Sequence, residues 1–348
     1  MKEKSFAALR HPGFRSYFLL SALAMMADSV EHVISYWILF QKFHSPALGG
    51  FAMLSHWLPF LFFSVYSGAL ADRFDPRRII QIGMALFMSA SLGWGLLFGP
   101  AVGAGIMIVF GPAWGILLNV LIYVPLVLWL WKAPYGPKFR MEQAAQRALR
   151  GLADIAQALK EVAGNRVLVS MLLLAGGASL FVGTGYQAQM PEFAQDLGHG
   201  DPGAAYSMLL AADAAGALTA GLVLESRGLL RANPRTAFIL AILWACAVAG
   251  FAASTLYELA LVLLLVAGFL ELSFNAMTQT LVQLHAPAAA RGRVVGLYGM
   301  AALGMRAFSG VTIGIAGGLI GIHWSLALSA MAVLALTSGL LAFSLKTD

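Results

Sequence analysis

Apolar segments of roughly twenty residues alternate with short polar connections along the whole of this chain. Each segment is long enough to cross the hydrocarbon core of a bilayer as an α-helix, which pairs its own backbone polar groups. The pattern therefore predicts an all-α polytopic membrane protein with about ten transmembrane helices. They fall at roughly 16–40, 48–70, 79–98 with an apolar continuation over 101–110, 113–131, 166–187, 203–225, 235–254, 257–283, 294–318 and 322–344.

Composition supports the same class. Of 348 residues, 60% are hydrophobic and 11% are charged, whereas soluble domains carry about 25% charged residues. Most of the surface cannot face water, which argues against a soluble all-α protein. The net charge of +6 comes from basic residues between the apolar segments. Such charge marks cytoplasmic loops rather than a nucleic-acid surface, so we expect the lipid bilayer as a partner and no nucleic acid.

The basic residues also predict the topology. When ten spans alternate from a cytoplasmic N-terminus, all Lys and Arg except Lys42 and Arg306 fall inside, and the acidic connection 188–202 falls outside. Both termini are then cytoplasmic. Residues 132–165 are predicted to form a cytoplasmic linker with an amphipathic helix suited to the membrane surface. Its apolar positions recur at helical spacing: Leu149, Leu152, Ile155, Ala156 and Leu159.

A charged connection occurs twice. The first connection begins at Gly68, has an acid at Asp72 and ends at Arg78. The second begins at Gly221, has an acid at Glu225 and ends at Arg231. Both connections lie between the second and third spans of their halves, which indicates an internally duplicated transporter. From Arg231 to the end of the last span the chain runs 113 residues, but from Arg78 to the linker only 53. The shortfall of about 60 residues corresponds to one helical hairpin.

The segment from Gly68 to Arg78 resembles the loop signature of the major facilitator superfamily. Leu9 to Arg15 and Gln279 to Tyr298 are similar to the corresponding segments of bacterial exporters related to enterobactin and macrolide efflux proteins. The resemblance implies a two-bundle fold, normally of twelve spans. Residues 99–105 resemble the end of the fifth span, so the fourth and most of the fifth are predicted absent. The implied divisions are 1–131 (four spans), 132–165 (linker) and 166–348 (six spans).

By this resemblance the protein is a secondary active transporter of a bacterial cytoplasmic membrane, working by alternating access. It implies a proton-coupled exporter of small amphiphilic, drug- or siderophore-like molecules. A truncated, non-transporting membrane protein or scaffold is the alternative. The sequence has no ATPase-type phosphate loop, zinc-ligand spacing or serine-nucleophile elbow. We therefore expect no enzyme and no cofactor, and an ion gradient as the energy source. Substrate, ion, direction and oligomeric state stay open.

The resemblance also assigns a conformational switch to the first charged connection, with Gly68, Asp72, Arg73, Arg77 and Arg78. Asp72 is implied to approach a helix end and to pair with basic residues between the two halves. The alternative is a charge cluster that only sets the topology.

Four side chains share one face of the first span. Asp28, Glu31 and His32 stand at i, i+3 and i+4, with Tyr36 one turn further. Intramembrane charge is costly and usually functional, so the group is a candidate proton site. The alternative is a solvated position near the outer interface, or a self-paired Glu31 and His32.

Further polar residues interrupt the C-terminal spans. Glu271 and Asn275 lie one turn apart and are predicted either to line a cavity or to form interhelical hydrogen bonds. Arg306 requires a partner in lipid, either Glu271 or Asp213, or an anionic substrate. His56 and Trp57 are interpreted as interfacial anchors in preference to cavity residues.

Overall fold

The computed structural model describes residues 6, 8–73, 75–98, 112–133, 152–198, 202–227, 232–287 and 291–345. Within these ranges the chain is helical and contains no β-strand. The first four long helices are α1 Pro12–Phe43, α2 Pro46–Arg73, α3 Pro76–Phe98 and α4 Pro112–Lys132. All four begin at proline, which suits the first helical position because its missing N–H would have no partner there.

The remaining helices form the C-terminal part. A short helix in the linker, α5, is followed by a span in two pieces, α6 and α7, and then by five long helices. Asn165 and Asn233 cap α6 and α9, since each side-chain oxygen accepts from backbone N–H groups of the first turn. The bounds are α5 Leu152–Ala163, α6 Arg166–Phe181, α7 Met190–Asp196, α8 Pro202–Arg227, α9 Pro234–Ala253, α10 Tyr257–His285, α11 Arg291–Ile320 and α12 Ile322–Leu345.

The predicted fold class is confirmed. Eight helical stretches in the described part are long and apolar enough to cross a membrane, with α6 and α7 counted as one. Helices α3 and α4 stand where the sequence predicts its third and fourth spans. The connection 99–111 lies outside the described residues, so the missing hairpin and the apolar continuation over 101–110 stay predictions.

Packing divides the chain into two compact units with boundaries that differ from the predicted halves. One unit comprises 1–42 and 70–148, and the other comprises 43–69 and 149–348. Helix α2 thus packs with the C-terminal spans. The predicted division at 1–131, 132–165 and 166–348 describes the duplicated halves of the sequence. The compact units describe packing contacts, so they do not test that division and it stays a prediction.

Glycines allow α2 to approach α11 closely. A Cβ on either Gly50 or Gly310 would overlap the backbone of the other. At Gly304, a Cβ would lie 2.5 Å from the Cα of Leu61. Small residues bring helix backbones together in lipid, where packing rather than the hydrophobic effect stabilises helix pairs. This seam fixes α11, which carries Arg306, against α2.

In the other unit, α1, α3 and α4 share a small core. Ala24 and Ala27 of α1 pack with Tyr123, Leu126 and Leu130 of α4, and α3 contributes partly buried side chains to the same cluster. Alanines on α1 leave room for the larger α4 side chains, as interdigitated packing requires.

The linker helix α5 is confirmed as a helix, and its N-terminal approach, residues 134–151, lies outside the described part. Ala158 and Val162 are buried, whereas Leu159 is 52% exposed. Glu161 pairs with Arg293 at the start of α11 at 2.5 Å. One face thus holds α5 to its own unit, while Ala156 and Leu159 of the predicted apolar positions are exposed. Contact between the exposed face of α5 and the membrane surface stays a prediction.

Candidate functional site

The span that begins at Arg166 is broken in its second half. Helix α6 ends at Phe181, where the N–H groups of Val182 and Gly183 both donate to the carbonyl of Ala178. Gly183 has φ +45°, a conformation that glycine adopts at helix ends without steric cost. A 3₁₀ turn, Gly185–Gln189, then leads into α7. The predicted continuous span 166–187 and polar loop 188–202 were therefore wrong, because α7 extends the helical path to Asp196.

Helix α11 lies against this break and is itself irregular. Two π-helical segments, Met300–Gly304 and Gly310–Ile315, flank a short α-helical turn that begins at Arg306. The hydroxyl of Thr312 donates to the carbonyl of Phe181 at 2.7 Å, which satisfies a backbone group left open by the break. Wide turns of this kind occur often at functional sites because they redirect side chains.

Two carboxyl groups and one phenol meet beside the break. The Tyr186 hydroxyl lies 3.2 Å from Oδ1 of Asp213 and 3.3 Å from Oε2 of Glu271. The Gln187 amide donates to Oδ2 of Asp213 at 3.0 Å. Tyr186 is fully buried and Asp213 is 6% exposed. These side chains come from the 3₁₀ turn, α8 and α10, so their meeting depends on tertiary packing.

Arg306 completes this group. Its guanidinium lies 3.5 Å from Oε1 of Glu271, and its Nε donates to the carbonyl of Ala302 at 3.2 Å. It also lies over the indole ring of Trp57, 5.2 Å from the centroid, a distance typical of a cation–π contact. Of the two carboxylates considered from the sequence, Glu271 is the partner. Trp57 thus contacts a charged group of α11, and its predicted role as an interfacial anchor stays a prediction.

We call Tyr186, Gln187, Asp213, Glu271 and Arg306 the midplane cluster. Asp213, Glu271 and Arg306 each lie near the middle of their helices, α8, α10 and α11. In a spanning helix that position is near the bilayer centre, where transporters bind substrates and ions.

Glycines let α8 and α10 bring the two acids together. A Cβ on Gly268 would overlap the carbonyl of Asp213 and would lie 3.1 Å from its Oδ1. A Cβ on Gly216 would overlap the carbonyl of Leu265 in the same way. Close backbone approach of this kind requires glycine. Gly268 lies one turn before Glu271, so the contact sets the separation of the two carboxyl groups.

The hydrogen bonds of the cluster indicate where a proton resides. A phenol donates one hydrogen bond, so Tyr186 cannot donate to both carboxylates. The other contact is favourable only if that carboxyl group carries a proton and donates to the phenol oxygen. Glu271 already has Arg306 as a counter-charge, whereas no cationic side chain pairs with Asp213 in the ranges that the structure covers. A proton on Asp213 would satisfy both contacts of the Tyr186 hydroxyl.

Two family models match the sequence. The model of the Major Facilitator Superfamily matches residues 86–310, well over half of the chain. The chain belongs to the major facilitator superfamily. A second model, described as a transmembrane secretion effector, matches residues 3–98. Superfamily membership indicates a secondary transporter rather than an enzyme. No curated protein sequence matches the chain.

One solved structure with a TM-score above 0.5 agrees with this fold, and two others are similar at lower scores. A bacterial homolog of the human lysosomal transporter Spinster, in an inward-facing and unoccupied conformation, has 13% identity and a TM-score of 0.60, covering 94% of this chain and 95% of that one. The nucleoside transporter NupG has 16% identity, a TM-score of 0.46 and coverages of 97% and 92%. The E. coli fucose:proton symporter FucP has 12% identity, a TM-score of 0.45 and coverages of 95% and 92%. These matches do not test the predicted similarity to the enterobactin and macrolide exporters.

The other residues predicted from the sequence lie in three places: in α10, in α1 and in the charged connection between α2 and α3. Thr278, one turn beyond Asn275 in α10, is buried and shares a hydrogen bond with the Tyr298 hydroxyl of α11 at 2.8 Å. Asn275 supplies its backbone carbonyl to the same hydroxyl at 3.3 Å, while its side chain is partly exposed. Asn275 lies one turn from Glu271, and its predicted place in a cavity wall stays a prediction.

The α1 group lies in the other compact unit and pairs within itself. His32 Nδ1 lies 2.8 Å from the carbonyl oxygen and 3.6 Å from Oδ2 of Asp28, and its ring lies 5.7 Å from that of Tyr36. The acid observed beside His32 is Asp28, and the predicted pairing of Glu31 with His32 stays a prediction. Tyr36 is buried.

The first charged connection is described only in part. The backbone of Gly68, Asp72 and Arg73 is helical, but their side chains lie outside the described residues, so the role predicted for Asp72 stays untested. Asp75 instead caps α3, because its Oδ1 accepts from the N–H of Arg77 at 3.0 Å. The Arg77 guanidinium hydrogen-bonds this carboxylate and holds the pKa of Asp75 below its ordinary value. Arg77 also donates to the carbonyl of Ala133 at 2.7 Å, beyond the end of α4.

Sequence reasoning missed Tyr186, Gln187 and the role of Trp57. Aromatic and amide side chains occur throughout transmembrane helices, so their presence carries little signal. One usable signal was the pair Gly183 and Gly185 inside an apolar span, because an interrupted hydrophobic segment points to a binding site in transporters.

Proposed function

We propose that this secondary transporter is a proton-coupled exporter of small amphiphilic molecules in a bacterial cytoplasmic membrane, and that the midplane cluster carries the proton. Alternating access is the superfamily-level mechanism on which the proposal builds. Asp213 is the proton carrier, Tyr186 is the hydrogen-bond bridge to Glu271, and Arg306 is the counter-charge of Glu271.

One observation carries this proposal: Asp213 is buried at the middle of α8 without a cationic partner in the described part of the chain. An isolated buried carboxylate is so costly in a low-dielectric medium that it binds a proton instead. The same carboxyl group becomes ionised only when water or a counter-charge reaches it. Asp213 therefore exchanges protons when the site changes its exposure, which is the requirement for coupling.

The broken span supplies the movement. Ionised Asp213 and Glu271 would repel each other across one hydroxyl group, because that hydroxyl has a single proton to donate. Tyr186 and Gln187 lie on the 3₁₀ turn directly after Gly183, where the backbone has already left helical geometry. A small rotation at this turn separates the phenol from one acid. Proton loss at Asp213 and rearrangement of the broken span are thus linked.

Proteoliposomes with an acidic lumen test the proposal. We expect wild-type protein to accumulate at least one member of a panel of cationic, anionic and neutral fluorescent amphiphiles, and nigericin to abolish accumulation. D213N and E271Q should each lose the proton-driven component. E258Q is the matched control, because Glu258 is an exposed acid at the start of the same helix as Glu271. Unimpaired accumulation in D213N would refute the assignment of the proton.

The alternative, a non-transporting membrane protein or scaffold, rests on the shortfall of about 60 residues after Arg78 in the sequence. It predicts folded wild-type protein with no flux of any panel member under any pH gradient. The same liposomes therefore decide between the two functions, with thermal unfolding of the reconstituted protein as the control for folding.

Two further proposals concern residues outside the midplane cluster. The paired Asp28 and His32, with Glu31 and Tyr36, form a second candidate proton site. Asp72 and its neighbouring arginines form a candidate switch. Substitutions D28N and D72N test them in the same assay. Loss of coupling would support a role, and unchanged flux would remove that residue from the mechanism.

A further inference from the structure

The charges of the midplane cluster do not balance when both acids are ionised. The cluster then holds two carboxylates, Asp213 and Glu271, against a single guanidinium, Arg306. Glu271 and Arg306 form one pair, while Asp213 receives only neutral donors, the Tyr186 hydroxyl and the Gln187 amide. One negative charge is in excess, and buried charges need a counter-charge. A proton fills that need in the proposed function, but an organic cation fills it equally well.

We propose that the transported molecule is an amphiphilic organic cation whose charged group replaces the proton at Asp213. This inference rests on the proposed function, because it uses the same carboxyl group. It names the substrate class that the proposed function leaves open. The exchange balances: one proton leaves Asp213 as one monovalent cation arrives, so the charge of the occupied site is unchanged.

A second observation in the same unit points to a ligand. The Trp57 ring faces Arg306, and its indole nitrogen is buried without a hydrogen-bond partner among the residues that the structure describes. A buried unpaired donor is costly, and a ligand with an acceptor oxygen would relieve that cost. The faces of indole and phenol rings attract cations. The chemistry expected of the ligand is therefore a cationic group, apolar surface and a hydrogen-bond acceptor.

An anionic substrate would behave in the opposite way. It would pair with Arg306 and displace Glu271, which would then need a proton of its own beside Asp213. Anion and proton would bind together, whereas cation and proton exclude each other. Binding of a cation should therefore release a proton, and binding of an anion should take one up. This sign difference is measurable on purified protein without knowledge of the natural substrate.

The test uses two probes of the same shape and opposite charge, tetraphenylphosphonium and tetraphenylborate, on detergent-solubilised full-length protein. We expect the phosphonium ion to bind at least tenfold more tightly at pH 8 than at pH 6. Its binding in weak buffer should release up to one proton per ion. D213N should bind it at least tenfold more weakly with no proton release, while E258Q should match wild type. W57F should weaken binding without changing the proton release.

Several outcomes would overturn the proposal. These are preferential binding of tetraphenylborate with proton uptake, or phosphonium binding that is independent of pH and releases no proton. The wild-type measurements decide this even if D213N fails to fold. Proton-driven flux of an anionic or neutral dye without phosphonium binding would refute the inference and leave the proposed function intact. Phosphonium binding with proton release, but without flux of any panel member in liposomes, would refute the transport function and reduce the inference to a cation-binding site at Asp213.

Discussion

Replacement of Gly183 by alanine is a sharp test of the broken span. The residue has φ +45°, and a Cβ there would lie 2.7 Å from the carbonyl oxygen of Ser179 and 3.1 Å from Cγ of Arg306. The first distance is below any normal contact, and its partner is backbone. G183A must therefore shift either the end of α6 or the stem of Arg306.

The expected loss in the free energy of unfolding of G183A has two parts. An alanine in the left-handed region costs about 1–2 kcal/mol. Overpacking of a well-packed interior costs about 1–3 kcal/mol more. The sum is about 2–5 kcal/mol for G183A. The matched control is G198A: Gly198 also has positive φ, +88°, but nothing lies within 4 Å of its Cβ position. G198A should therefore show the first part only.

Thermal unfolding in detergent, followed by tryptophan fluorescence, measures the difference. We expect the unfolding temperature of G183A to fall at least about one and a half times as far as that of G198A. Proton-driven accumulation should fall at least tenfold in G183A and stay near wild type in G198A, because only Gly183 touches Arg306. Equal shifts in the two variants would mean that Gly183 is not crowded, and would refute the described packing of the break.

Three further predictions follow from the same contacts. G268A should lower both unfolding temperature and proton-driven flux, because its Cβ would overlap the Asp213 carbonyl. G221A, whose Cβ would lie 3.5 Å from Leu272 between the same two helices, should be neutral or slightly stabilising; equal effects would refute the α8–α10 contact. Y186F should reduce proton-driven flux about tenfold or more, since a hydrogen bond to a charged group contributes about 1.5–3 kcal/mol; unchanged flux with unchanged pH dependence would exclude the bridge. D75N should lower the unfolding temperature at pH 7, and the difference from wild type should vanish as the pH falls through the lowered pKa of Asp75; a difference constant between pH 7 and pH 3 would contradict the ion pair.

The hydrophobic pattern was a reliable guide to the spans for a physical reason. Lipid cannot hydrogen-bond a backbone, so each crossing needs a continuous apolar helix whose length the bilayer sets. The structure follows this pattern from α1 to α12, with proline at the start of six of the long helices. Asp213, Glu271 and Arg306 could be selected because charge within an apolar run is conspicuous and costly.

The break after Phe181 was less predictable. A glycine in a transmembrane helix is common, so Gly183 and Gly185 do not by themselves mark the end of a helix. The π-helical segments of α11 leave no trace in the hydrophobic pattern either, since they change the register by single residues within a uniformly apolar stretch. Both features depend on the hydrogen-bond partners that a neighbouring helix supplies to the backbone, such as the Thr312 hydroxyl.

The sequence by itself determined that this chain crosses a membrane many times and that charged side chains, among them Asp213, Glu271 and Arg306, lie inside it. Only the tertiary structure decided that Arg306 pairs with Glu271, that Tyr186 joins the two acids, and that Asp213 has neutral partners. Spans follow from local composition, because lipid acts on each segment separately. Pairing between helices depends on which small residues let their backbones approach, and no periodicity along one segment encodes that.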